Sequence, residues 1–194
     1  FDFSYASKWN TKIWSAFLMD DLNSLTDVFG SHWLNRWAFL AGGQIVSPWR
    51  RIDADLTAEW SMVRPWTYTG GREEAYSFAH YGLPMGSELG PDSRTFHARL
   101  AWRPKSGIEL GTSFANLEKG TGRQSVLGQV HGRGESDPES SELFRNGSQD
   151  VRKWGLDATA NWNQLLVFKA DVALVTRSAS GREDDSWVQG GAEW

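Results

Sequence analysis

The chain reads as an all-β protein, an antiparallel transmembrane β-barrel, and three observations support that expectation. Apolar and polar residues alternate with period two in one segment after another. The connections between those segments alternate between short and long, and twelve tryptophans fall near the segment ends. Period two sends successive side chains to opposite faces of a strand. Short turns at one end and long loops at the other are the pattern of outer-membrane barrels. An indole, amphipathic by nature, prefers the headgroup level of a bilayer.

About nine strands are expected. Phe1, Phe3, Tyr5 and Trp9 alternate with Asp2, Ser4 and Lys8, and residues 12–20 and 34–46 read as extended with either face apolar. The clearest strand covers residues 52–62: Ile52, Ala54, Leu56, Ala58, Trp60 and Met62 on one side, Asp53, Asp55, Thr57, Glu59 and Ser61 on the other. Phe96, Ala98, Leu100 and Trp102 repeat it, followed by Ile108, Leu110, Thr112 and Phe114. Trp154, Leu156, Ala158, Ala160 and Trp162 come next, then Leu166, Phe168, Ala170, Val172 and Leu174. Val188, Gly190, Ala192 and Trp194 give the last. Residues 20–29 alone read as a short helix, set within a loop.

Short connections at Asn10-Thr11, Ser47-Pro48-Trp49-Arg50, Pro104-Lys105-Ser106-Gly107 and Asn163-Gln164 alternate with longer ones near 21–33, 65–93, 119–152 and 179–185. Trp9, Trp14, Trp49, Trp102, Trp162 and Trp194 sit toward the short-turn ends, and Trp33, Trp37, Trp60, Trp66, Trp154 and Trp187 toward the long-loop ends. Two such bands predict interfacial girdles. The expected orientation puts the long loops outside the cell and the C-terminus in the periplasm. Bacterial single-chain barrels have even strand numbers, so nine strands with Phe1 at the extracellular end predict part of a larger barrel that lacks upstream strands.

Composition excludes several classes. The chain has no cysteine, which removes disulfides, thiolate metal sites and a cysteine nucleophile. Its 20 Lys+Arg stand against 24 Asp+Glu with no basic run, the opposite of a nucleic-acid footprint. No apolar stretch is long enough for a membrane helix, which says nothing against a barrel. G-x-S-x-G, H-E-x-x-H and P-loop patterns are absent from the sequence, so no enzymatic activity is expected. No cofactor is expected either. Asp53/Asp55 and Glu183-Asp184-Asp185 offer oxygen ligands for calcium, but at a spacing that does not demand an ion.

Two groups of residues are candidates for binding. Asp53, Asp55, Glu59, Arg99, Arg103, Glu109, Asp157, Lys169 and Asp171 occupy the polar side of their strands. They predict a hydrated, ion-paired interior, with Asp55, Glu59 and Arg99 as lumen contacts and His97 as one more polar lumen group. Loop 65–93 and its approach hold Arg64, Trp66, Tyr68, Glu73, His80 and Tyr81. Rings for stacking on sugar C–H faces, flanked by groups that bond hydroxyls, predict a carbohydrate platform. The same aromatics would equally hold a self-packed lid. Loop 119–152, rich in Gly, Ser and charge, is expected to be mobile.

Several motifs together resemble the C-terminal part of the capsule-assembly (Wzi-type) outer-membrane β-barrel family. They are Asp20-Asp21-Leu22, Ala58-Glu59-Trp60, Arg64-Pro65-Trp66-Thr67-Tyr68-Thr69, His80-Tyr81-Gly82-Leu83-Pro84-Met85-Gly86 and Leu89-Gly90-Pro91-Asp92-Ser93. The similarity runs from about Asp20 to Arg103. It implies a larger, non-enzymatic barrel that acts as a lectin-like surface protein and helps attach or organise surface polysaccharide. Outer-membrane lipid and other envelope proteins are the remaining expected partners, and nucleic acid is not one. A porin or solute channel and a structural subunit of a larger outer-membrane complex are the alternative expectations.

Overall fold

A computed structural model gives the fold; it describes residues 1–24, 28–48, 52–68, 79–80, 83–84, 87, 89–125, 139–162 and 166–180. Ten strands follow in chain order. They are β1 (Asp2–Ser7), β2 (Thr11–Asp21), β3 (Arg36–Val46), β4 (Ala54–Val63), β5 (Ala79–His80), β6 (Leu83–Pro84), β7 (Ser93–Lys105), β8 (Ile108–Gly120), β9 (Ser148–Trp162) and β10 (Leu166–Ser180). The pair β5–β6 stands apart as a small antiparallel ladder. The other eight form one antiparallel sheet in the order β1-β2-β3-β4-β7-β8-β9-β10, and among the described residues the sheet is not closed on itself.

These eight strands lie where the period-two pattern places them. The expected ninth strand, over residues 188–194, lies outside the described residues, as does most of loop 179–185. The helix expected over residues 20–29 does not form among the described residues. β2 instead continues to Asp21, with a register shift between Met19 and Asp21, and a turn occupies Val28, Phe29 and Gly30. The physical reason is tertiary: the Asp20 carboxylate accepts the Tyr68 backbone N–H at 3.1 Å, which holds that segment extended.

The short turns use the residues their backbone requires. Asn10 sits at φ 56 between β1 and β2, and Gly107 at φ 83 between β7 and β8; both conformations are costly for most other side chains. A Cβ at Gly107 would also crowd the Asn161 carbonyl oxygen at 2.8 Å, the neighbour whose N–H donates to the Gly107 oxygen at 2.7 Å.

Cross-strand register separates two faces. On one, Leu156, Phe168, Val172 and Leu174 are all more than 60 % exposed. Rings from five consecutive strands run across it. Phe39 and Trp60 lie 6.0 Å apart, Trp60 is paired in register with Phe96, and Phe114 lies 6.1 Å from Phe96 and 4.4 Å from Trp154. The row over residues 52–62 on the same face covers about 33 Å of strand. The opposite face is polar through its middle and turns apolar at the long-loop end, where Leu18, Ala38 and Val63 pack with Tyr68.

Trp14 corrects one part of the girdle expectation. Its indole lies on the polar face and donates from Nε1 to Glu59 Oε2 at 2.8 Å, over Gly42, where an added Cβ would overlap the ring. A tryptophan whose N–H already has a half-buried carboxylate partner has no need of the headgroup level. Gly42→Val is therefore expected to displace Trp14 and cost about 1–3 kcal/mol. Gly43→Val, whose Cβ would meet its nearest neighbours at 3.7 and 3.8 Å, serves as the control. Chemical denaturation followed by tryptophan fluorescence should show a lowered midpoint for the first variant and little change for the second.

Candidate functional site

The middle of the polar face is built from β4, β7, β8 and β9. Alternation sends every second side chain of each strand to this face, and antiparallel register brings the charged ones together. Arg99 donates from Nη2 to Glu109 Oε1 at 3.1 Å and to Asp157 Oδ2 at 3.0 Å. Arg103 reaches Asp53 and Asp55, both at 2.8 Å, and its Nη1 lies 3.6 Å from Glu109. Glu109 thus joins the two arginines into one network. Gly111, opposite Asp157 in register, leaves room for that carboxylate, since a Cβ there would overlap it. At the short-turn end the network opens into a depression of about 640 Å³, lined by Asp53, Arg103, Lys105, Gly107, Glu109 and Thr159 among others.

These side chains are partly exposed, with Arg99 at 37 % and Glu109 at 35 %. Ion pairs this wet add little stability. Their chemical meaning is a wall of fixed, oriented charge that bonds water, hydroxyls or ions. Among the described residues no group of three or more His, Asp or Glu is arranged to hold a metal ion.

The long-loop end is different in kind. Three loops, residues 22–35, 64–92 and 121–147, are stitched together by buried hydrogen bonds. Asp92 is fully buried and accepts from Gln124 Nε2 at 3.1 Å, Ser125 Oγ at 2.7 Å and the Phe144 backbone N–H at 2.9 Å. Arg64 donates to the carbonyls of Gly30 and Ser141 at 3.1 and 2.9 Å, and its guanidinium lies 5.8 Å from the Trp37 ring centre. Lys119 donates to the carbonyls of Pro91 and Ser125. The Trp66 N–H donates to the Gln124 carbonyl at 3.1 Å, and the Ser141 N–H to that of Ser31 at 2.6 Å.

The structure sorts the sequence candidates accordingly. Asp55, Glu59 and Arg99 all stand on the polar wall; Asp55 and Arg99 meet through Arg103 and Glu109, while Glu59 is engaged by Trp14. Arg64, Trp66 and Tyr68 are buried at 9, 8 and 4 % and hold the loops together, so they do not form the open stacking platform expected of them. Trp66 and Tyr68 adopt φ 64 and 67, an uncommon backbone for aromatic residues that turns both rings inward. Trp37, also expected in an interfacial band, is buried and donates from Nε1 to the Val28 carbonyl at 3.0 Å. Glu73 and Tyr81 lie outside the described residues, and of His80 only the backbone, in β5, is described.

Sequence reasoning placed Asp92 in a motif without giving it a role, and missed Gln124, Ser125 and Ser141. A signal existed for Asp92: a short acidic residue between Pro91 and Ser93, entering a strand at φ 55, is well suited to bond neighbouring backbone. Nothing local marked its partners, which lie 32 to 52 residues away.

Asp92→Ala would remove the acceptor of three donors, two of them buried, at about 1–3 kcal/mol for a buried donor left unsatisfied. Limited proteolysis should then cut within loop 121–147 at least ten times faster, with strand content by circular dichroism unchanged. Burial also raises the Tyr68 phenol above its ordinary value. A group whose folded pKa is raised contributes fully below its unfolded pKa and loses that contribution as pH rises through the folded one. Loop cleavage should therefore accelerate above about pH 10, and Tyr68→Phe should flatten that alkaline limb. No family model, no curated protein and no solved structure matches this chain.

Proposed function

We propose that the sheet is a section of the wall of a non-enzymatic outer-membrane β-barrel, and that its loop end engages surface polysaccharide. The observation that supports the wall most directly is the sidedness of the sheet. One face is apolar, exposed and crossed by a ladder of rings; the other carries an ion-paired network. In water the first face would be a large unprotected patch. Against lipid it is the correct surface, while the second lines a hydrated lumen. A lipid-exposed sheet edge is not tolerated, so in this reading the outer edges of β1 and β10 pair with further strands.

Support for polysaccharide comes from the family resemblance and from where its motifs converge. Asp20, Arg64, Trp66, Tyr68 and Asp92 all meet in the buried loop assembly. That assembly presents a second aromatic group at its surface. The His32 and Trp33 rings stack at 6.2 Å, the Arg36 guanidinium lies 5.0 Å from the Trp33 ring, and all three are half-buried. The sugar-stacking role expected of Trp66 and Tyr68 therefore passes to Trp33.

Reconstituted protein should co-float with phosphatidylcholine vesicles and resist carbonate extraction; recovery in the soluble fraction would overturn the wall. Trp33→Ala should reduce polysaccharide retention on cells about 2- to 10-fold, the value of one aromatic contact, with barrel assembly intact. Retention equal to the parent would remove polysaccharide from the reading and leave the wall. The alternative role as a solute channel is favoured by the exposed charges of Arg99 and Glu109. Ion conductance in planar bilayers would select it.

A further inference from the structure

The outward face does not end at its rings. Beyond Phe96, Phe114 and Trp154, toward the long loops, the next residues on the same face are Arg94, Asn116 and Arg152, and after them Glu118 and Asp150. Register fixes this: Arg94 pairs with Glu118, Asn116 with Arg152, and Glu118 with Asp150. Two residues of strand are about 6.5 Å, so both arginines stand just past the ring ladder. In the membrane-wall reading the ladder marks the apolar boundary, and the arginines stand at headgroup level.

We propose that Arg94 and Arg152 form a binding site for the phosphate of an anionic lipid headgroup. This rests on the membrane-wall reading. Arg94 is held in place by Glu118, to which Nε donates at 3.1 Å and Nη2 also donates, and its guanidinium lies 5.5 Å from the Phe144 ring centre. Its side chain remains 47 % exposed. A guanidinium has five N–H donors, and those on Nη1 are unengaged among the described residues. Arg152 is exposed and has no ion-pair partner among the described residues. The two Cα positions are two strands and two residues apart, about 12 Å, so their side chains flank a single headgroup. Arginine suits a phosphate because its planar fork matches the oxygens.

The acids of the same rim define the charge balance. Glu118 is neutralised by Arg94. Asp150 is paired with Glu118 in register, a repulsive arrangement, and is the carboxylate that opposes an anionic ligand. The site thus has two residues that favour phosphate and one that resists it, and substitutions should act with opposite signs.

The test uses the full chain reconstituted in phosphatidylcholine vesicles with spin-labelled phosphatidylglycerol or spin-labelled phosphatidylcholine, read as the fraction of each probe immobilised at the protein. The charged probe is expected to be preferred about threefold. Arg94→Gln with Arg152→Gln should bring the ratio to one while leaving the immobilised phosphatidylcholine unchanged. Arg152→Gln alone, which breaks no ion pair, should lower the ratio partway, and Asp150→Asn should raise it. A ratio of one in the parent protein, or a ratio indifferent to these variants, overturns the proposal. Replacement of chloride by inorganic phosphate at equal ionic strength should leave the preference in place; its loss there would assign the site to free phosphate instead. Immobilisation of neither probe would overturn the wall itself, an outcome distinct from loss of selectivity.

Discussion

A one-residue slip of any strand in this sheet would exchange an ion-paired face for an apolar one, and that constraint orders the rest of the molecule. Side chains alternate with a period of two, so the choice of face is made once and holds along the whole strand. Arg99 can meet both Glu109 and Asp157 only because β7, β8 and β9 are all in the register that puts Phe96, Phe114 and Trp154 on the other side. The glycines obey the same rule. Gly42 and Gly111 lie on the polar face opposite a tryptophan and an aspartate that need their space.

The two ends of the sheet solve different problems. The tight turns described at one end need the right backbone at Asn10, Ser47 and Gly107. Long loops close the other, and their polar backbone needs partners wherever water is excluded. Asp92, Arg64 and Lys119 supply those partners as charged side chains that reach between loops. The apolar patch of Leu18, Ala38 and Val63 gives Tyr68 a floor. Loop burial here follows from how the polar face changes character along its length.

Local pattern made the strands legible and left the loop assembly hidden, for a physical reason. Residues 52–62 alternate without exception, and β4 follows them. In β2 and β3 small and apolar residues occupy both faces, so nothing local said that Trp14 would turn toward Glu59, 45 residues away. The segment over residues 20–29 has the spacing of a helical turn, yet Asp20 is committed to Tyr68 across 48 residues. Trp66 and Tyr68 were recognisable as important, but aromatic residues serve a binding face and a core equally well. Only the positive backbone angles and the partners in loop 121–147 decide between them. Loop 119–152 reads as mobile by composition, yet Gln124, Ser125 and Ser141 are buried, because their hydrogen-bond partners come from other loops.

The exposure of the polar wall separates stability from function. Its guanidinium and carboxylate groups are 22 to 57 % exposed, where salt screens their attraction and a pair is worth about 1 kcal/mol or less. Such a network is a weak way to hold strands that their own ladders already hold. It is an effective way to keep charge fixed and hydrated along a surface. The buried Asp92 and Arg64 are the reverse case: in a dry surround each missing partner is costly, so these bonds fix loop shape. Stability at the loop end and polarity along the wall therefore draw on different residues. This is why the wall can vary in charge without loss of the fold, while the loop assembly cannot vary in the same way.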